Sequence, residues 1–153
     1  MKVVLVNPEI PHNTGSIGRT CVALELELIL IKPYGFSLEE KTVSRSGTRY
    51  WKNVNLSEYE NWKQFLNCHQ PRRDHLYFFE EYGKKSFYSP DYQLEAYLVF
   101  GCESVGLSKD ILDGMADRMF QIPMLNHAVK SLNLANAATA AIYQAMKGQF
   151  SKR

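Results

Sequence analysis

Two four-residue runs, Leu28-Ile29-Leu30-Ile31 and Tyr97-Leu98-Val99-Phe100, are apolar at every position. Successive side chains of a strand point to opposite faces, so a strand without polar alternation has to be covered on both sides. These runs therefore predict a parallel sheet between two layers of helices. Residues 3–6 and 76–79 are runs of the same kind, and 119–122 is a further short run broken only by Gln121, giving five predicted strands. The stretches between them read as helices over 14–24, 57–68, 108–112 and 132–146. Ser57, with Glu60 three residues on, has the form of a capping box opening the second of these. Strands alternating with helices predict an α/β fold, and 153 residues suit one domain spanning 1–153.

Composition narrows the function classes. A net charge of +2 is too mild to announce nucleic acid by itself. Cys21, Cys68 and Cys102 form neither a CxxC pair nor a metal-ligand spacing, and the four histidines are scattered, so no metal site is expected. An odd cysteine count without a secretory leader fits reduced thiols, hence a cytoplasmic protein, and no stretch approaches a membrane span. Dinucleotide-binding GxGxxG, phosphate-binding GxxxxGK[ST], and serine- and zinc-hydrolase motifs are absent.

The informative segments follow predicted strands. Pro8-Glu9-Ile10-Pro11-His12-Asn13-Thr14-Gly15-Ser16-Ile17-Gly18-Arg19 reads as a rigid loop, with Asn13 or Thr14 capping the next helix. Arg19 then falls on the first turns of that helix, able to reach back over the strand ends toward an anion; the bland alternative is a plain capped turn. After Phe100 come Gly101-Cys102-Glu103-Ser104-Val105-Gly106, in which the glycines permit close backbone approach or positive φ. Glu103 there is either an acceptor for hydroxyls and amides or a helix-start carboxylate. After Ile122-Pro123-Met124, Ser131 and Asn133 are both candidate caps of the last helix. That helix carries small residues at Ala135, Ala138, Ala141 and Ala145, a stripe able to pack closely against a partner. Loops after Phe79, Phe100 and Ile122 would converge at its start, the edge of an open α/β sheet where ligands bind. The basic loop 44–49 before Tyr50-Trp51 reads either as a solvated turn or as a phosphate-contacting loop beside stacking aromatics.

Taken in order, these segments resemble the three motifs of the SpoU branch of the SPOUT RNA 2′-O-ribose methyltransferases. Asn13-Thr14-Gly15 through Arg19 is similar to the first, Phe100-Gly101-Cys102-Glu103 to Gly106 to the second, and Ile122-Pro123 with Ser131-Leu132-Asn133-Leu134 to the third. The opening Pro8-Glu9-Ile10-Pro11 and the element Lys32-Pro33-Tyr34-Gly35-Phe36 resemble the short enzymes acting on the tRNA wobble nucleotide, cytidine or modified uridine. The resemblance covers nearly the whole chain. It implies a C-terminal trefoil knot in the α/β sheet, a homodimer, S-adenosylmethionine as cofactor and tRNA as partner, with no appended RNA-binding domain, no membrane and no metal. By resemblance Arg19 is the central catalytic residue, with Asn13, Glu103, Ser131 and Asn133. Phe79, Gly101, Ile122 and Ser131 bind cofactor, and Met124 and Leu132 line the same pocket or simply pack the core. Lys41, Arg45, Arg49 and Lys130 are expected to form part of the RNA surface. The chain departs from the pattern at Cys102, where the second motif has proline, at Lys130, where arginine is usual, and at Arg49-Tyr50-Trp51, where Asp-Tyr is expected. Methylation of ribosomal RNA or another tRNA site, and a non-catalytic RNA-binding dimer, remain as alternative functions.

Alanine at Lys41, Arg45 and Arg49 together should weaken tRNA binding and flatten its salt dependence, by about 0.7 to 0.9 of a log–log unit per lost phosphate contact. Filter binding across a salt series checks this, and an unchanged affinity would make the loop a solvated turn.

Overall fold

The computed structural model describes residues 1–38 and 48–150. Seven parallel strands form one sheet: β1 (Lys2–Val6), β2 (Glu27–Ile31), β3 (Asn55–Tyr59), β4 (Leu76–Phe79), β5 (Lys85–Ser86), β6 (Tyr97–Phe100) and β7 (Met119–Gln121). Their order across the sheet is β3-β2-β1-β6-β4-β7-β5. β1 is the pivot: Val3 pairs with Leu28 on one side and Leu98 on the other.

Because neighbouring side chains alternate in direction, each apolar strand feeds two cores. Val3, Leu5, Leu28, Leu30, Leu98 and Phe100 face helices α1 (Pro11–Ala23) and α5 (Leu134–Phe150), with Ile17, Cys21, Ala138 and Ile142 closing that layer. Val4, Val6, Ile29, Ile31, Phe78 and Val99 face the other way, onto Phe65 of α3 (Trp62–His69) and Ile111 and Leu112 of α4 (Lys109–Leu112). Full burial of each such side chain contributes about 1.5 to 3 kcal/mol, so the two-sided runs supply much of the fold's driving force. Burial also pushes the Cys21 thiol up to about 12, so it packs as a small apolar group. No helix among the described residues is long and apolar enough to cross a membrane, and no cluster of His, Cys, Asp or Glu there could hold a metal.

Several expectations need correction. β3 lies where a helix was expected: Ser57 sits within the strand and donates to Glu27 across the sheet at 2.7 Å. The helix starts five residues later, at Trp62, because Asn61 accepts from the Gln64 N–H while the Gln64 side chain accepts from the Glu60 N–H. Ser57 and Glu60 therefore form no capping box; Asn61 and Gln64 do. α1 begins at Pro11, whose fixed φ and missing N–H suit a first helical position, so Asn13 and Thr14 are buried inside the helix and do not cap it. The alanine stripe of α5 faces inward: Ala135, Ala138, Ala141 and Ala145 are buried in their own core and present no surface to a partner. α5 also runs through Gly148 to Phe150. A short helix, α2 (Thr48–Trp51), packs Trp51 where a Cβ on Gly18 of α1 would sit, 2.7 Å away.

Half-buried His69, the last residue of α3, lies between the Tyr59 hydroxyl at 2.7 Å and the Tyr97 hydroxyl at 3.2 Å. Burial lowers its pKa; Glu27 opposes this and Lys2 adds to it. A histidine with a depressed folded pKa stabilises the fold fully above its unfolded value, near 6.5, and loses that contribution as pH falls through the folded value. Urea midpoints should therefore drop more between pH 7 and pH 5 for the wild type than for His69→Gln. Parallel pH profiles would remove His69 from the acid sensitivity of the fold.

Candidate active site

The chain reverses its direction of growth across the sheet between β1 and β6, and the carboxyl edge beside such a reversal is where open α/β sheets form their crevice. Here the loops after β1 and β6 are braced to each other by two carboxylates. Glu103 accepts from the Glu9 N–H at 2.8 Å, the Ile10 N–H at 3.1 Å and the Asn13 amide at 3.1 Å. In return, Glu9 accepts from the Ser104 N–H at 2.9 Å and its hydroxyl at 2.7 Å. The Asn133 amide donates to Asn13 Oδ1 at 3.0 Å, and Asn133 Oδ1 accepts from the N–H groups of Ala135 and Asn136, capping α5. Of the two caps expected for that helix, Asn133 is the one used.

A cavity of about 430 Å³ opens beside this brace, along the ends of β6, β4 and β7. Phe79, Gly101, Ile122, Met124, Ser131 and Leu132, all predicted for the cofactor, line it. So do Asn13, Glu103 and Asn133, predicted for catalysis. The glycines also shape the loop that walls the cavity. A Cβ on Gly101 would lie 2.2 Å from the Gly106 carbonyl carbon, so Gly101 lets the loop fold back on itself. Gly106 has φ +71°, in the left-handed region that favours glycine, and ties back through its N–H to the Cys102 carbonyl at 3.0 Å.

Arg19 is not among the lining residues. It stands in the third turn of α1, exposed, with its guanidinium 4.9 Å from the centre of the Tyr50 ring. Starting the helix at Pro11 moves Arg19 past the first turns in which it was expected. Lys130 is exposed next to Ser131. Lys41 and Arg45 lie outside the described residues, as does the side chain of Arg49.

Sequence reasoning missed Glu9 and Glu80. Glu80 follows β4, lines the cavity and accepts from the Leu107 N–H. Burial, then the charge of Glu81, push its carboxyl above the usual range, while the Leu107 N–H pulls the other way. The signal was available, since Glu80 follows the apolar run 76–79 much as Glu103 follows 97–100. No Lys or Arg lines the cavity among the described residues, while Glu80, Glu81 and Glu103 do.

The sequence matches the SpoU rRNA Methylase family over residues 1–143. The chain belongs to that family. Relatives from Geobacillus stearothermophilus (39% identical, 97% of this chain and 95% of the relative) and Bacillus subtilis (38%, 97% and 93%) carry the name "Putative tRNA (cytidine(34)-2'-O)-methyltransferase". A solved structure described as "Structural insights into the 2-OH methylation of C/U34 on tRNA" is 37% identical, with TM-score 0.89, over 99% of this chain and 97% of its own. The SpoU methyltransferase AviRb from Streptomyces viridochromogenes, in complex with AdoMet, is 28% identical with TM-score 0.84, over 100% of this chain and 59% of that one. The helix-flanked parallel sheet is thus the architecture of SpoU methyltransferases.

Gly101→Ala should cost about 2 kcal/mol or more of unfolding free energy, because its methyl meets backbone and no flexible side chain. Gly148→Ala, in open space on α5, should be neutral or slightly stabilising. Chemical denaturation of both variants checks the pair; equal stabilities would remove Gly101 from the support of the 101–107 loop.

Proposed function

We propose that this chain transfers a methyl group from S-adenosylmethionine to the ribose 2′-hydroxyl of the wobble nucleotide, cytidine or modified uridine at position 34, of tRNA. The observation carrying the reading is the cavity itself, where residues of all three motifs meet at one sheet edge. The names of relatives that align over 97% of the chain supply the substrate class. The family's description favours one second reading, the same reaction on ribosomal RNA.

The residues fit the cofactor. The cavity volume falls inside the usual small-molecule range of about 300 to 1,000 Å³. Phe79, Ile122 and Leu132 offer apolar cover for a purine. Three glutamates with no basic residue among the described residues suit a ligand of net positive charge and disfavour a nucleotide polyphosphate. When bound, S-adenosylmethionine supplies an electrophilic methyl group carried on cationic sulfur.

The chain's own tasks are alignment, exclusion of water and handling of one hydroxyl proton. Glu103, held by three N–H donors, fixes Asn13 and the 8–10 loop in place. Asn13, Ser131 and Asn133 line the cavity with groups able to bond the ribose and its phosphate. Arg19 stays protonated, so its role is to hold the adjacent phosphate and stabilise charge developing on the 2′-oxygen. Because Arg19 lies outside the lining of its own cavity, this role is assigned to the cavity of a second copy. Exposed Ile10, Leu132, Tyr143 and Phe150 provide apolar surface for such a homodimer. The proposal includes the C-terminal knot, supported by α5 returning to pack against α1 with Asn133 bonded to Asn13, and a single cytoplasmic methyltransferase domain.

Nucleoside mass spectrometry of RNA from a deletion strain should show loss of the 2′-O-methylated position-34 nucleoside, restored by a plasmid copy. Intact position 34 with a methyl group missing from ribosomal RNA would carry the second reading. Arg19→Ala should slow methyl transfer by roughly a hundredfold or more while cofactor affinity stays near wild type. Co-expressed Arg19→Ala and Ser131→Ala chains should recover roughly a quarter of wild-type activity, since about half the dimers are mixed and each holds one intact site. Purified mixed dimers without activity would place both residues in one protomer's site.

A further inference from the structure

Glu80 lines the cavity and is held through both its backbone and its side chain. Its N–H donates to the Phe120 carbonyl at 3.0 Å and its own carbonyl accepts from Gly83, at 3.2 Å, so the backbone is held beyond the end of β4. The side chain turns over the 101–107 loop, where Oε1 accepts from the Leu107 N–H. Oε2 lies 2.7 Å from where a Cβ on Gly106 would stand, so the glycine makes room for the carboxylate.

The three glutamates around the cavity are not equivalent. Glu103 is compensated by three N–H donors. Glu81 is exposed, so water and salt screen it. Glu80 is half-buried with one backbone donor, and its burial raises the carboxyl pKa, the mark of an anion short of compensation. No Lys or Arg among the described residues lines the cavity to supply it. A cationic ligand would.

Resting on the cofactor reading above, we infer that Glu80 makes this cavity discriminate by charge, binding cationic adenosyl ligands in preference to neutral ones. S-adenosylmethionine carries a net positive charge through its sulfonium. The thioether left after methyl loss, S-adenosylhomocysteine, has none. Glu80 thus favours the loaded donor, and methyl loss removes that attraction from the spent product, so exchange of one for the other is driven by the chemistry of transfer itself. At an effective dielectric of about 20, one close charge pair exceeds a tenfold preference; a half-open site leaves about tenfold.

Calorimetry on the full chain with S-adenosylmethionine, sinefungin (which carries an amine in place of the sulfonium methyl) and S-adenosylhomocysteine tests this. Glu80→Gln keeps an acceptor for the Leu107 N–H and removes the charge. It should weaken both cationic ligands about tenfold and leave the thioether within about twofold. Glu95→Gln, exposed and outside the cavity lining, should change none of the three by more than about twofold. Equal losses for all three ligands with Glu80→Gln, or no losses, overturn the inference while leaving the cofactor reading intact. A wild-type chain binding none of them overturns both. Should Glu80→Gln fail to fold, the wild-type preference for donor over thioether must shrink as salt rises, and a salt-invariant ratio overturns the inference.

Discussion

A directed line of hydrogen bonds holds the candidate site together. It runs from the first N–H groups of α5 through Asn133 and Asn13 to Glu103. An ionised carboxylate can only accept, so Asn13 has to turn its Nδ2 toward Glu103 and its Oδ1 away. Asn133 must then present Nδ2 to Asn13, which leaves Oδ1 for the helix. One acceptor-only group thus fixes the orientation of two amides and the cap of a helix 120 residues further along from Asn13. Aspartate at either asparagine would put two acceptors face to face, and glutamine would overrun the spacing. The catalytic roles proposed for Asn13 and Asn133 depend on this line, because it removes the rotational freedom either amide would otherwise keep.

The sheet was readable where the strands are buried on both faces. β6 and residues 28–31 of β2 are apolar at every position, and both strands emerged with the expected bounds at their C-terminal ends, Ile31 and Phe100. β3 escaped because it pairs on one side only, with β2, and tolerates Asn55, Ser57 and Glu58, so its sequence carries little apolar signal. β5 is two residues long, too short for any periodicity. The site was readable for a related reason: a ligand edge lies where buried strands stop, so Phe79, Gly101 and Ile122 could be named from the runs preceding them. Roles that depend on a helix's rotation were not readable. Asn13 reads as a cap until Pro11 is seen to occupy the first turn, and Arg19 is carried onto an exposed face by the same three-residue displacement.

Charge is distributed in a way the total conceals. A chain of net charge +2 has a cavity lined by three glutamates and no described basic residue. The positive charge therefore lies elsewhere on the surface, and the two partners proposed for this protein divide along that line. An acidic cavity repels a polyanionic RNA and attracts a cationic sulfonium. Entry of an RNA phosphate into the cavity is therefore opposed without a steric gate.

This separation bears on why the proposed arginine comes from a second chain. A guanidinium placed beside Glu80 and Glu103 from within the same protomer would neutralise the field that favours a cationic donor. It would also form an ion pair in the pocket and lose its freedom to meet the phosphate. Arg19 is stacked on Tyr50, outside its own cavity, and avoids both outcomes. Supplied across a dimer interface, it would approach the reacting ribose from the RNA side, with the substrate between it and the glutamates. The acidic pocket and the remote arginine are then two parts of one electrostatic arrangement, in which the cofactor's charge is recognised before the nucleophile's charge has to be stabilised.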